Sequence, residues 1–497
     1  MITRRQFIKT ASAAAAGIAA APSIVTSTAL GAANRAPAGE RIVVGVIGTG
    51  GRGRDVMRAF LAQPDTQVVA VCDCFADRRS AAKDDVNRNY GNQDCAVYLD
   101  MFDILNRPDI DALLIATGDN WHSGVSLLAA RAGKDMYCEK PMSVAIAESR
   151  AVSDTMRRLG RVFQCGTQRR SISHFQFAAG LAISGKLGKL TELHAEEAGG
   201  LQDVHQTILP AEPEPPREEF DWDRWLGPAA WRPYNKEYPT RGFWSGDWDF
   251  SGGSVTEWGS HTVDLCQWAN QSDNTGPVEF WKEGERLIGR YADGVKLVIR
   301  TGLRFGSCPV RYEGEEGWVE TGDSGEMDAN PKSLLENRNF LGGYPPDNHV
   351  RAFLDCVKTR QQPVSNAEVA HRSISACHVA NICKRLGRPV KWDPPAIEDA
   401  GEATLIGIIQ GNAPYVDKLK ACRGLRIRGT AASVPALAAM LPDPELSHIA
   451  RYALEPMPCP EAGKALRDAL PKTAGKPKAG IAASLGVRRT RSDPAAQ

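Results

Sequence analysis

The sequence predicts an α/β protein in three parts: a doubly wound parallel sheet, an α+β domain with an open, largely antiparallel sheet, and a small all-α region of helical repeats. Three observations support this prediction. Short apolar runs alternate with helix-like segments up to about residue 159, and later runs have the length and spacing of antiparallel strands. The final part of the chain contains only short helical patterns.

The first apolar run leads into a glycine-rich turn and then into a helix-like segment. This run, Ile42–Ile47, precedes the sequence GTGGRG at residues 48–53. Glycines in this pattern allow a tight turn, a close approach of the backbone to a pyrophosphate, and close packing of helix on strand. The helix start offers unpaired N–H groups to the anion. The residues expected to bind the dinucleotide here are Gly48, Gly50, Gly51, Arg52 and Gly53.

An acidic residue supports dinucleotide binding over an ordinary strand–turn–helix unit. Asp73 follows the glycine pattern by about 20 residues, at the end of a second apolar run. Its carboxylate can accept hydrogen bonds from the adenosine ribose and would repel a 2′-phosphate, which favours NAD. Arg78 and Arg79 leave NADP as an alternative. We therefore predict a Rossmann domain over residues 40–160.

Polar residues follow two later strands of the same predicted sheet. Ligands of doubly wound sheets bind beyond the carboxyl ends of the strands. Residues 117–122 and 139–141 stand at such ends and are therefore candidate contacts.

Five stretches in this order resemble the Gfo/Idh/MocA oxidoreductases, which act mainly on sugars and cyclitols. They are GTGGRG at 48–53, VCDC at 71–74, ATGDNWH at 116–122, CEKP at 138–141 and GGSVTEWGSHTVD at 252–264. The resemblance covers residues 41–394 and implies that residues 161–395 form the substrate and oligomerisation domain. Gly118 departs from the Thr-Pro that the family commonly has there. The further cofactor contacts that the resemblance implies are Thr117, Asn120, His122, Glu139, Lys140 and Gln168.

Lys140 is the first candidate catalytic residue. It stands at a strand end beside Pro141, so its ammonium can point over the nicotinamide, bind a substrate hydroxyl and favour the alkoxide that precedes hydride loss. The alternative is a surface lysine beside a turn proline. The family resemblance implies a catalytic or substrate-orienting lysine.

Glu257 and His261 are the other catalytic candidates. A spacing of four places both side chains on one helix face. His261 can accept the hydroxyl proton, and Glu257 can orient its ring or bind another hydroxyl. The alternative is a structural histidine paired with a carboxylate, and the family usually has Asp at the place of Glu257. Trp258, His261 and Asp264, together with Lys140, are predicted to bind substrate.

Tryptophans are concentrated in the second domain. Sugar C–H faces stack on aromatic rings while polar side chains bind the hydroxyls, although most of these rings are expected simply to pack an irregular region. They are Trp222, Trp225, Trp231, Trp244, Trp248, Trp258 and Trp268.

Both ends of the chain carry additional predictions. Residues 1–34 combine Arg4-Arg5 with a weakly apolar, Ala-rich run, which predicts a twin-arginine signal peptide, interaction with the twin-arginine translocation machinery and a periplasmic or otherwise exported enzyme. A membrane span or a disordered tail are the alternatives, and no span is expected in the mature form. Residues 400–490 contain short helices that resemble HEAT repeats, which bury a face only by stacking.

Composition excludes some classes of function. The net charge is +1, which implies no general attraction to nucleic acid or to an anionic membrane. The 12 cysteines show no CxxC pair or His/Cys cluster, so no metal is predicted.

Three functions remain open from the sequence. The main hypothesis is an exported NAD(P)-dependent oxidoreductase that moves a hydride between a sugar or polyol carbinol carbon and nicotinamide. It would hold its cofactor tightly and recycle it with a second substrate. The second hypothesis is NAD-dependent glycoside cleavage by transient C3 oxidation and elimination. The third is a non-catalytic binding protein. A homo-oligomer formed through the open sheet is expected.

Overall fold

The computed structural model describes residues 35–197, 205–336, 346–392 and 402–489. The predicted export signal, residues 1–34, lies outside the described residues, as does the predicted domain boundary at residues 395–400. None of the described helices is both long enough and apolar enough to span a bilayer.

The first domain is built on a six-stranded parallel sheet with the order β3-β2-β1-β4-β5-β6. This is the doubly wound order of a dinucleotide-binding fold, so the predicted fold is confirmed. Its strands are β1 (Ile42–Ile47), β2 (Thr66–Cys72), β3 (Ala96–Tyr98), β4 (Ala112–Ile115), β5 (Asp135–Cys138) and β6 (Phe163–Cys165). Its helices are α1 (Gly51–Leu61), α2 (Ala76–Tyr90), α3 (Met101–Leu105), α4 (Asp119–Arg131) and α5 (Ile146–Leu159).

Burial explains why the strands of this domain are continuous apolar runs. Helices cover both faces of a parallel sheet, so residues on both faces of β4 are withdrawn from water. Helix α1 buries Val56, Met57 and Phe60 against the sheet, which places its N-terminus at the carboxyl edge. The ends of β1, β2, β4 and β5 therefore meet at one edge.

The second domain contains an eight-stranded, largely antiparallel sheet with the order β13-β12-β11-β7-β10-β9-β8-β14. Only the β7–β10 pair is parallel. Its strands are β7 (Leu190–Glu196), β8 (Glu279–Glu283), β9 (Arg286–Arg290), β10 (Lys296–Arg300), β11 (Val310–Gly314), β12 (Gly317–Thr321), β13 (Met327–Asn330) and β14 (Val390–Lys391). Its helices are α6 (Ser173–Ile183), α7 (Trp222–Leu226), α8 (Arg241–Trp244), α9 (Ser254–Glu257), α10 (Gly259–Ala269) and α12 (Ala367–Leu386). Helix α11 (Pro346–Thr359), which precedes α12 in the chain, packs on the core of the first domain through Val350, Phe353 and Leu354.

The face of this sheet opposite helices α6, α10 and α12 carries charged side chains. Glu192, His194 and Glu313 lie together there, with carboxylate oxygens 3.6 and 3.4 Å from the His194 Nε2. Arg300 Nε donates to His194 Nδ1 at 3.2 Å, so the proton of the neutral ring is on Nε2. A protonated Nε2 cannot bind a cation, and this donor set therefore does not fit a metal.

The last part of the chain is helical, with a core of its own around Leu425, Leu437, Leu454 and Leu466. We call residues 402–489 the C-terminal helical domain; its assignment to the HEAT class stays a prediction. Its helices are α13 (Glu402–Gln410), α14 (Tyr415–Arg428), α15 (Val434–Met440), α16 (Ser447–Leu454), α17 (Pro460–Ala469) and α18 (Gly475–Arg489).

All 12 cysteines lie in described residues and are free. Most are buried, as expected for thiols that serve as small apolar core residues.

Candidate active site at the nucleotide cavity

A cavity of about 640 Å³ lies at the edge where β1, β2, β4 and β5 end. Residues of the second domain close its other side. The predicted site residues that line it are Gly48, Gly50, Gly51, Arg52, Gly53, Asp73, Thr117, Asn120, His122, Glu139, Lys140 and Glu257. Gln168, Trp258, His261 and Asp264 are not among the lining residues that the described part of the chain provides.

The glycine turn has the geometry that its pattern predicts. Gly48 has φ +89°, and a Cβ there would stand 2.4 Å from the Ala116 carbonyl oxygen. A Cβ on Gly53 would stand 2.1 Å from the Gly48 carbonyl oxygen. Larger residues at either place would therefore push α1 away from β1 and β4, and they would remove the open cradle at the start of the helix.

Asp73 is held against this turn at the end of β2. Its Oδ2 accepts from the Thr49 backbone N–H at 2.6 Å, and its Oδ1 accepts from the Phe75 N–H at 3.0 Å. Arg79 donates to the backbone oxygens of Asp73 and Glu218, at 2.7 and 2.8 Å, and does not line the cavity. Of the two arginines that leave NADP open, only Arg78 lines the cavity.

The first residues of α4, including Asn120 and His122, line the cavity. His122 is buried, with Nδ1 2.7 Å from the Pro141 carbonyl oxygen and Nε2 3.1 Å from that of Thr117. Asn120 Nδ2 donates to the Leu226 carbonyl oxygen at 3.2 Å. His122 therefore fixes the loop after β4 against the turn after β5, and Asn120 joins this loop to the second domain.

Glu139 is a buried carboxylate that pairs with the glycine turn. Its Oε1 accepts from Arg52 Nε at 2.8 Å, and a Cβ on Gly166 would stand 2.8 Å from the carboxyl group. Because Gly166 has no side chain, the Glu139 carboxylate can occupy this position. Gln168 starts a short 3-10 helix just beyond, outside the cavity lining.

Lys140 connects the two domains above the cavity. Its Nζ donates to the Glu257 carbonyl oxygen at 3.0 Å, across 117 positions of the sequence. The Glu257 carboxylate also lines the cavity, 3.9 Å from the guanidinium of Arg241. The structure thus brings the Lys140 ammonium to the backbone of Glu257, and both residues line the cavity.

His261 lies close by but is enclosed. It is 4% exposed, its Nε2 is 2.7 Å from Arg169 Nη1, and its Nδ1 finds no partner among the described residues. Arg169 can only donate, so Nε2 accepts and the proton is on Nδ1. Burial lowers the pKa of His261 well below its usual value, and the charges of Arg169 and Lys140 lower it further. The His261 ring is therefore neutral, with Nδ1–H as its donor. Its role as the acceptor of the hydroxyl proton stays a prediction, and this environment disfavours it.

Asp264 is engaged in a buried ion pair away from the cavity. Arg170 donates to both of its carboxylate oxygens, at 2.7 and 2.9 Å, and Ser373 donates to Oδ1 at 2.7 Å. The Asp264 and Arg170 side chains are 1% and 2% exposed. This placement gives Asp264 a structural role and does not support the predicted substrate contact. The Trp258 ring is half-buried and outside the lining.

Asp119 is a site residue that the sequence analysis did not select. It begins α4, lines the cavity, is 3% exposed and accepts from Ser251 Oγ at 2.8 Å through Oδ2. Its Oδ1 accepts no hydrogen bond from the described residues. Burial raises the pKa of Asp119 to about 7, with a further rise from Glu257 and an opposing effect from Lys140. Only its position beside Asn120 in the ATGDNWH stretch could have indicated it.

Aromatic rings close the side of the cavity that the second domain forms. Of the seven tryptophans considered above, Trp225 and Trp244 line it, next to Phe250. Trp222 instead packs on Trp225 and Tyr238, with ring centroids 5.2 and 5.6 Å away.

Two family models match this chain. Residues 42–167 match the "Oxidoreductase family, NAD-binding Rossmann fold" model, and residues 199–411 match the "Oxidoreductase family, C-terminal alpha/beta domain" model of the same family. Together they cover more than half of the chain. It belongs to the Gfo/Idh/MocA oxidoreductase family. The first domain is accordingly an NAD-binding Rossmann domain, and the glycine cradle and Asp73 fit that nucleotide.

Curated relatives with two different names match this Gfo/Idh/MocA chain. Inositol 2-dehydrogenase of Pseudomonas fluorescens (strain SBW25) is 29% identical over 341 residues, which are 64% of this chain and 87% of that protein. A glycosyl hydrolase family 109 protein of Saccharopolyspora erythraea is 33% identical over 176 residues, 32% of this chain and 38% of that protein. Inositol 2-dehydrogenase of Salmonella typhimurium (strain LT2) is 30% identical, with 39% of this chain and 55% of that protein aligned.

Solved structures share the fold. Aldose-aldose oxidoreductase from Caulobacter crescentus has a TM-score of 0.51 at 18% identity, covering 71% of this chain and 100% of that one. The WlbA dehydrogenase from Bordetella pertussis, in complex with NADH and UDP-GlcNAcA, also has 0.51 at 18% identity, covering 71% and 99%.

We expect Asp264→Ala to reduce stability rather than substrate binding. Removing the carboxylate leaves the Arg170 guanidinium buried with only Asp273 as an acidic partner, which costs about 3–5 kcal/mol. Urea unfolding measures the loss, and substrate titration of the folded fraction should give an unchanged KM. A raised KM at unchanged stability would instead place Asp264 in the substrate site.

Proposed function

We propose that this protein is an NAD-dependent oxidoreductase that transfers a hydride between the carbinol carbon of a sugar or polyol and nicotinamide. The observation that carries the proposal is one cavity with a nucleotide cradle at one end and Lys140, Asp119 and Glu257 at the other. When bound, NAD+ would supply the hydride acceptor, and NADH would supply the hydride donor in the reverse direction. Asp73 at the ribose position, and Arg79 turned to backbone oxygens, favour NAD over NADP.

Proton transfer falls to groups of this chain. Lys140 Nζ, held by the Glu257 carbonyl oxygen, is positioned to bind the reacting hydroxyl and to stabilise its oxygen as negative charge develops. Asp119 Oδ1 is positioned to take the hydroxyl proton as the C–H hydride leaves. In reduction of a carbonyl the same carboxylic acid returns the proton. A group with a pKa near 7 can serve in both directions.

The cavity walls favour a polyhydroxylated ring as substrate. Trp225, Trp244 and Phe250 offer aromatic faces for sugar C–H groups, while Glu257 and Arg241 offer an acceptor and a donor for hydroxyls. This arrangement suits sugars and cyclitols better than a linear apolar alcohol, which has no further hydroxyls to bind Glu257 and Arg241. The names of the inositol dehydrogenase relatives agree with this class.

Export and a retained cofactor complete the proposal. The Arg4-Arg5 segment supports export by the twin-arginine pathway, which moves folded proteins, and a periplasmic enzyme has no ready pool of free NAD. We therefore propose that the nucleotide stays bound between turnovers and is recycled by a second substrate. Net cleavage of a glycoside without accumulation of NADH would instead favour the C3-oxidation and elimination reaction. Inactivity on a broad sugar panel would favour a binding protein.

We expect Lys140→Ala to lower kcat by about 100- to 10,000-fold, because it removes the cation that stabilises the developing alkoxide. Turnover is measured with a panel of pyranosides and cyclitols. Lys186→Ala, an exposed lysine outside the cavity, is the matched control and should retain full activity. Full activity of Lys140→Ala would remove the proposed mechanism.

We expect kcat/KM for alcohol oxidation to rise with pH through about 7, since Asp119 must lose its proton to act as the base. Asp119→Asn keeps the size of the side chain but cannot accept a proton, so its rate should fall about 100-fold and the rise near pH 7 should disappear. Persistence of the same pH profile in Asp119→Asn would assign the proton to another group.

The open sheet is proposed as the contact between copies of this chain. Charged side chains on this sheet form ion pairs with one another. On the β11–β12 pair, the Arg311 guanidinium lies 3.8 Å from the centre of the Trp318 ring. We expect an oligomer in sedimentation analysis and dissociation of that oligomer by Trp318→Asp, with Lys186→Asp as the control. A monomer in the wild type would refute this part.

A further inference from the structure

One segment of the second domain crosses the nucleotide cavity, and neither the glycine pattern nor the proton-transfer residues account for it. We call residues 219–227 the strap; it contains helix α7 and ends at Gly227. Two of its side chains, Arg224 and Trp225, line the cavity.

The first half of the strap is bound to the adenosine side of the site. The Ala76 N–H donates to the Glu219 carbonyl oxygen at 2.9 Å, and the Asp221 N–H donates to that of Cys74 at 3.2 Å. The rings of Phe75 and Phe220 stack with centroids 4.0 Å apart. These contacts begin directly after Asp73, so the strap lies beside the place of the adenosine ribose.

The second half of the strap is bound to the start of α4. Trp121 Nε1 donates to the Arg224 carbonyl oxygen at 3.0 Å. A Cβ on Gly227, which has φ +54°, would stand 2.4 Å from the Trp121 ring, so only glycine lets the strap approach so closely. The strap thus spans the cavity from β2 to α4.

Helix α16 of the C-terminal helical domain and the residue after it brace the strap from outside. Glu455 Oε1 accepts from Arg224 Nη1 at 3.0 Å, while Asp100 accepts from Arg224 Nη2 at 2.9 Å. Arg451 pairs with Asp223, and His448 Nε2 donates to the Gly227 carbonyl oxygen at 2.6 Å. Side chains of Arg224, Glu455 and Arg451 are 6%, 2% and 4% exposed.

The strap cannot lift without breaking these ion pairs, and the Arg224, Glu455 and Arg451 side chains that form them are withdrawn from water. Lifting the strap would separate the Arg224 guanidinium from both Asp100 and Glu455, and the buried Glu455 carboxylate would lose its partner on the strap. Separation of buried, hydrogen-bonded charge pairs is slow and is expressed mainly in dissociation rates. A bound dinucleotide that must pass the strap would therefore leave slowly.

We propose that the strap is a third wall of the nucleotide site and that the C-terminal helical domain, through Glu455, Arg451 and His448, keeps this wall closed and retains the nucleotide. The proposal rests on NAD binding in the first domain and deepens the proposed retained cofactor. It does not depend on which alcohol is oxidised. Arg224 and Trp225 are binding residues, whereas the three residues of α16 and its end are positioning residues.

The test is the dissociation rate of NADH from the full-length protein, followed by loss of nicotinamide fluorescence during a chase with excess NAD. We expect wild-type protein to keep its nucleotide through gel filtration. Glu455→Gln removes the negative charge that faces Arg224, and Arg451→Gln removes the cation that pairs with Asp223; both should release NADH at least about tenfold faster. Turnover of the nucleotide that is still bound should be unchanged, because neither residue lines the cavity.

Glu368→Gln is the matched control, because Glu368 forms an ion pair with the buried Arg150 between α5 and α12 and lies outside the cavity lining. Its melting temperature should fall as in Glu455→Gln, with NADH release as slow as in the wild type. Equal release rates in all four proteins, or equally fast release from Glu368→Gln, would overturn the proposal. Rapid release from an active wild type would overturn it too and leave the proposed reaction standing, whereas absence of NADH binding would overturn both.

Discussion

The hydrogen bond from Lys140 Nζ to the Glu257 carbonyl oxygen is the contact on which the site depends. Lys140 follows β5, whose end lies at the same sheet edge as the nucleotide cradle, and Glu257 belongs to the second domain. The bond joins the two domains at the cavity that both residues line, and Arg224, Trp225 and Trp244 complete the wall that the second domain provides. Enclosure withdraws Asp119 from water, and that withdrawal changes its chemistry.

Burial acts in opposite directions on the two candidate proton acceptors. Asp119 lies near Glu257, so burial and a like charge both raise its pKa into the range where it can accept and return a proton. His261 lies near Arg169 and Lys140, so burial and like charges both lower its pKa. The carboxylate is thus a better base than the imidazole in this site, although free imidazole is the usual group for this task near neutral pH.

Local sequence was sufficient for the features that a few adjacent residues determine. Gly48 and Gly53 were predictable because close backbone approach allows only glycine, and Lys140 because a strand end and a proline restrict it. Asp119 was not predictable from local sequence. Its hydrogen-bond partner Ser251 is 132 positions away, and the pKa of Asp119 depends on Glu257. The position of Asp264 on the same helix face as His261 suggested a substrate contact. Arg170, on another element, instead holds Asp264 in a buried ion pair. The strap lacks apolar periodicity, so its Trp-rich composition suggested substrate stacking and did not reveal a wall braced by distant helices.

The most direct test of the central claim is the reduction of nucleotide that co-purifies with the protein. Wild-type protein loaded with NAD is mixed with single cyclitols and pyranosides, and the absorbance of reduced nicotinamide is followed within one turnover. Formation of enzyme-bound NADH in one equivalent with at least one of these compounds is the result predicted here. Bound NAD that no compound on the panel reduces, with no NADH oxidised by the matching ketoses or inososes, would contradict it.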